Sequence, residues 1–218
     1  MNKETVKITS LVAGILTAVV ALFVLIEGII TLTSFSGDAP ARYNVYIALA
    51  GVLQFAVAAG LGVLSYFVIK EYVKKEENKN HWYLCASGTI FLYEIVGLLL
   101  FMIFLNVWDN ARIWVILVFS IAGLVVSILA LIGKFAGTTG KIVAMVAVGI
   151  GFVLTIVGLV GSTGIAVATG IFEMFMFVAF FLYYLFDLIV NNSTNGTVKV
   201  EEKAEVEEAK EEETKTEE

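Results

Sequence analysis

Residues 82–132 read WYLCASGTIFLYEIVGLLLFMIFLNVWDNARIWVILVFSIAGLVVSILALI, two long apolar runs meeting at a short polar turn. As a helix at 1.5 Å per residue, each run is long enough to cross roughly 30 Å of hydrocarbon. Backbone polar groups in lipid must be satisfied internally, so runs of this length are read as transmembrane helices. Trp108 and Trp114 bracket the turn Asp109-Asn110-Ala111-Arg112, the headgroup depth that amphipathic rings prefer. The stretch is a hairpin of two spans.

Working outward, comparable runs lie at 8–33 and 43–69 before it and at 141–160 and 165–190 after it. Gly161, Ser162, Thr163 and Gly164 alone separate the last two. Read as one helix, 141–190 would be about 75 Å long, more than twice the hydrocarbon thickness, so the chain must turn there. The composition agrees: 59% of the 218 residues are hydrophobic, 16% are charged, and mean hydropathy is +0.92, far from a soluble domain. The expected fold is an all-α integral membrane protein: a six-transmembrane-helix bundle in three hairpins, domain 1–190, followed by a disordered acidic tail, 191–218.

The net charge of -6 resides in that tail, where residues 199–218 hold 4 lysines and 10 glutamates. So little apolar surface there leaves nothing to bury, which predicts disorder. Met1 to Lys7 resembles the basic start of a signal peptide, but the run after it is too long for one and is expected to stay as the first span. Lys3, Lys7, Lys70, Lys74, Lys75, Lys79, Lys134 and Lys141 fall on one side of the alternation, with only Arg42 and Arg112 on the other. The positive-inside rule then puts both termini in the cytoplasm of a cell membrane. The size, common among small bacterial transporter subunits, makes a bacterial cytoplasmic membrane the expected location by analogy. Cys85 is the single cysteine, set in an apolar run, and is read as a small hydrophobe.

Small residues at helical spacing mark where membrane helices meet. Such stripes run through Gly51, Gln54, Ala58, Gly62 and Ser65; through Ser120, Gly123, Ser127 and Ala130; and through Ala144, Ala147, Gly151, Thr155 and Gly158. Their plain reading is tight packing.

The candidate ion- or solute-binding residues are Glu27, Glu94 and Glu173, each well inside a span, with Gln54 at similar depth. A charged carboxylate at the bilayer centre costs several kcal/mol, so these groups are costly to keep. Ala166, Thr169, Gly170 and Glu173 share one helical face, and Thr169 is positioned to hydrogen-bond Glu173. Ser87, Glu94 and Phe101 share another; Thr169 and Ser87 are therefore supporting polar residues. Counting the rise per residue puts Gln54, Glu94 and Glu173 near one level and Glu27 nearer the outer face. No Lys or Arg lies in the interior of any span, so each acid must be protonated, share a proton, bind a cation or face water.

Asp187, beside Tyr183 and Tyr184, reads as interfacial, and His81, the only histidine, as a solvated loop residue. No GxSxG, HExxH, CxxC or phosphate-cradling loop is present, which argues against an enzyme. No metal, cofactor or nucleic acid is implied. Two functions fit. One is a small transporter or channel-like protein handling a proton, a cation or a small polar solute through its intramembrane glutamates. The other is an assembly or scaffold protein, its partners being other membrane helices, a second copy, or a basic cytosolic protein held by the tail. Both take the lipid bilayer as solvent.

Overall fold

The computed structural model describes residues 3–74, 81–132, 137–160 and 162–216. Lys75, Lys79, Lys134 and Gly161, invoked above for topology, lie outside them. The described chain forms six helices: α1 (Lys3–Thr33), α2 (Ala41–Lys74), α3 (His81–Leu105), α4 (Ala111–Leu131), α5 (Gly137–Leu159) and α6 (Ile165–Thr216). All six are long and apolar enough to cross a membrane, with Ile165–Val190 as the spanning part of α6. The helices overrun the sequence-based spans at several ends, because polar residues such as Lys3 and Lys74 continue a helix outside the hydrocarbon at no desolvation cost.

Local signals start and stop these helices. Asn106 leaves α3 in the left-handed conformation (φ 55), a helix-ending geometry asparagine tolerates. Asn110 then caps α4, its side chain accepting from the Arg112 backbone N–H at 3.0 Å. Gly164 (φ 62) turns the chain into α6. Between α1 and α2, the Asn44 amide donates to the Ser36 carbonyl at 2.7 Å and closes the loop.

Contacting residue numbers rise on one helix as they fall on the next, so neighbours are antiparallel. In the first hairpin Gly14 meets Val68, and Gly28 meets Gln54. In the second, Phe91 meets Gly123 and Glu94 meets Ser120. In the third, Lys141 meets Asp187, Gly151 meets Phe177 and Leu159 meets Gly170. Successive helices pack side by side, and α6 closes the ring on α1, with Phe23 stacked on Phe172 at 5.0 Å. The turns within the three hairpins lie at one end, the hairpin end; the first residues of α1 and the exit of the α6 span lie at the other, the terminal end.

The small-residue stripes are buried where they are needed for close approach. A Cβ added at Gly123 would lie 2.6 Å from the Phe91 ring, and one at Gly51 would lie 2.6 Å from Leu32. Gly62 and Gly158 depart from the expectation: open space lies beyond both, so these two positions are not contacts. The outside of the bundle stays apolar, as lipid requires, with Val52, Val118, Phe119, Val153 and Phe175 all exposed.

Beyond Val190 the α6 backbone continues as helix to Thr216 through the acidic Glu/Lys/Ala segment. Those residues have high intrinsic helix propensity, which accounts for the backbone. The composition, with few apolar residues, is that of the disordered tail expected from sequence.

Candidate functional site

The bundle is filled differently along its length. In the terminal half aromatic side chains of α3 and α6 reach one another and close the space. Tyr83 lies 5.0 Å from Phe180 and 4.5 Å from Tyr183, ring centre to ring centre, with Tyr184 at 6.2 Å. All four are essentially excluded from solvent. The Tyr83 hydroxyl donates to Ser10 Oγ at 2.6 Å and so ties α3 to α1. One step deeper, Phe91 and Phe177 stack at 6.3 Å. Asp187 sits at the terminal end in an ion pair with Lys141 at 2.6 Å, which joins α5 to α6.

Toward the hairpin end the helices part around a cavity of about 470 Å³. Its deep wall carries Gln54, Tyr93 and Glu94; its outer wall carries Thr31, Ser34, Tyr46 and Phe101. Gly97, one turn beyond Glu94 on α3, faces it with no atom near where a Cβ would stand. Residues of α1 to α5 contribute, so the cavity belongs to the bundle rather than to one helix pair.

Each candidate residue has a definite place. Glu94, on α3, accepts a hydrogen bond from Ser120 Oγ of α4 at 2.5 Å. Gln54, on α2, donates through Nε2 to Tyr93 Oη at 3.4 Å, while its Oε1 is buried without a hydrogen-bond partner among the described residues. Glu27, on α1, accepts from the Thr169 hydroxyl of α6. That hydroxyl is the one expected to serve Glu173; it turns to Glu27 because α1 and α6 are in contact at that level, and Glu173 lies one turn further along the same helix. Thr169 Oγ1 is also 3.2 Å from its own helix's Ile165 carbonyl. A hydroxyl has one proton and two lone pairs, so it can donate to Glu27, or accept from a protonated Glu27 and donate to Ile165.

Glu173 is partly buried and forms no hydrogen bond among the described residues. It lies within Coulombic reach of both Glu94 and Glu27, and Tyr93 lies within reach of Glu27 and Glu173. The fold thus brings Glu27, Gln54, Glu94 and Glu173 into one region, with Gln54 and Glu94 on the cavity wall. Ser87 does not join it: its hydroxyl is spent on the Tyr83 carbonyl of its own helix at 2.9 Å. Among the described residues no three His, Cys, Asp or Glu side chains converge tightly enough to hold a metal ion.

Two participants were not singled out from sequence. Tyr93 carries no distinguishing signal in the sequence, and Ser120 lies in a stripe whose plain reading is packing. Ser120 stands as far after Val107 as Glu94 stands before it, but the turn Asp109-Asn110-Ala111-Arg112 read from sequence is centred further on, so the pairing emerges only from the fold. Arg112 is a third; its guanidinium donates to the Val157 and Gly158 carbonyls and caps the end of α5 beside the cavity.

No family model, curated protein or solved structure matches this chain.

Proposed function

We propose that this membrane protein is a small non-enzymatic transporter or channel-like protein that takes up a cationic or polar species through the cavity at its hairpin end. The observation that carries the reading is the cavity wall itself: Glu94 and Gln54, a carboxyl-bearing and an amide-bearing side chain deep among transmembrane helices, line about 470 Å³ of space. Polar side chains within a bundle are costly and are kept where they hydrogen-bond across helices or serve a pathway. The Glu94–Ser120 bond satisfies one carboxyl oxygen, which leaves the second for a proton or a cationic guest. Glu173 and Glu27, within Coulombic reach, offer further stations toward α6 and α1.

Alternating exposure of such a site requires one end to be closed while the other is open. The aromatic cluster around Tyr83 is suited to the closed end, and the cavity to the open one. The test is flux in reconstituted vesicles. Glu94→Gln and Glu173→Gln should each abolish movement of protons or of a monovalent cation; full flux in both variants would defeat the assignment.

A second reading, an assembly protein, draws support from the acidic helical extension of α6 beyond Val190. Removing residues 197–218 separates the two: a transporter keeps its flux, whereas an assembly protein loses co-purifying partners.

A further inference from the structure

We infer that the cavity binds an organic monocation with an apolar body, an alkyl- or arylalkyl-ammonium, its nitrogen at Glu94 and its hydrophobic end against the Tyr46–Phe101 ring pair. The inference rests on the transport reading of the same site and names its ligand class.

The wall chemistry narrows the guest. Along the deep wall the second Glu94 oxygen is an acceptor left over by Ser120, Gln54 Oε1 is a buried acceptor without a partner among the described residues, and Tyr93 Oη, which accepts from Gln54, keeps its own proton to give. No lysine or arginine stands in a span interior to supply positive charge. A guest that satisfies this wall brings N–H donors and a positive charge. An anion finds no free counter-charge, the Arg112 guanidinium beside the cavity being bound to α5 carbonyls, and a lipid tail would leave the second Glu94 oxygen unpaired, which is costly in a dry site.

An inorganic cation fits poorly for a different reason. It needs several oxygens in a shell, but helix carbonyls are committed to their own hydrogen bonds, and the acids here do not form a chelating group. The remaining walls are apolar and aromatic, with Ile47, Leu53 and Leu98 between the polar floor and the mouth. Such a lining suits a hydrocarbon body, and a volume of about 470 Å³ lies within the range of small-molecule pockets.

Length is also set. Glu94 and Phe101 are both on α3, and the step of seven residues from one to the other covers about 10 Å along the helix. At that distance the Tyr46 and Phe101 rings meet edge to face, their centres 6.0 Å apart. An ammonium group separated from an aromatic or branched end by about that length places each part against its complement.

The probe is phenylbutylammonium, with the neutral phenylbutanol of the same shape as its control, in equilibrium dialysis against the full-length chain in detergent. Wild type should bind the ammonium saturably, with an excess of the alcohol competing weakly. Glu94→Gln should weaken binding by about tenfold or more, the loss expected for one charge-assisted hydrogen bond. Gly97→Leu, which directs a side chain into open space, should block binding while leaving the melting temperature at or above that of wild type; it decides the matter if Glu94→Gln does not fold.

Equal competition by the alcohol, or unchanged binding in either variant, would overturn the inference. Ammonium binding without flux supports the ligand class and removes the transport reading. Proton flux with no ammonium binding does the reverse.

Discussion

The two halves of the bundle are built from the same helices and nearly the same alphabet, yet they solve opposite problems. The terminal half spends its large aromatics on filling: Tyr83, Phe180, Tyr183 and Tyr184 are excluded from solvent and touch one another. The hairpin half spends polar groups on a wall and leaves space in front of them. Lipid tails are as apolar as leucine, so burial alone does not hold membrane helices together; packing and interhelical hydrogen bonds do. The closed half therefore carries the stability, and the open half can keep polar groups that a packed core would have to satisfy.

The largest expected effect breaks the closed half. Tyr83→Ala removes a fully buried ring and the hydroxyl bound to Ser10, and should cost about 3–5 kcal/mol in unfolding from detergent micelles. Phe101→Ala removes a similar volume beside existing space and should cost clearly less, because the penalty scales with the new void that cannot collapse. Equal losses at the two sites would mean that the halves are packed alike.

Next in size is the crossing of α3 and α4, where the halves join. Gly123→Ala sets a methyl group against the Phe91 ring and should cost about 1–3 kcal/mol by overpacking. Phe91→Leu made in the same chain should recover part of that loss, because neighbours sharing one contact are not additive. A double variant as unstable as the sum of the singles would mean that the ring is not what Gly123 accommodates.

Smaller again is the hydrogen bond one turn further toward the hairpin end. Ser120→Ala removes the donor to Glu94 and should cost about 0.5–1.5 kcal/mol, the modest worth of interhelical hydrogen bonds in membranes. Flux should fall more than stability does, because the variant disturbs the wall rather than the core. A stability loss as large as that of Tyr83→Ala would instead make the Glu94–Ser120 pair a structural clasp.

What sequence could disclose follows the same division. Six spans and their turns were legible because the bilayer imposes a length and a composition on every helix, and the abrupt change after Val190 marked where that solvent ends. The acids at 27, 94 and 173 stood out because charge is rare in lipid. Their partners did not: which helix face meets which depends on rotations fixed by packing, and one turn of phase decides whether Thr169 serves Glu173 or Glu27. The cavity was illegible for a related reason. Space is set by how side chains from five helices fail to meet, and Gly62, read in a stripe like Gly123, faces open space while Gly123 is packed shut.

Glycine therefore gives the finest comparison and the smallest effect. Gly62 and Gly97 both face open space, the first on α2 away from the cavity wall and the second on it. Alanine at either site should stabilise its helix by about 0.5–1 kcal/mol through the lost backbone freedom of the unfolded chain. If the two halves differ only in packing, the variants should be alike in every assay. If the open half is a binding site, Gly97→Ala should gain the same stability yet shift ligand affinity or flux, whereas Gly62→Ala changes neither. Identical melting gains with divergent flux would locate function in the space itself, since a single methyl group would have altered the cavity without weakening the fold.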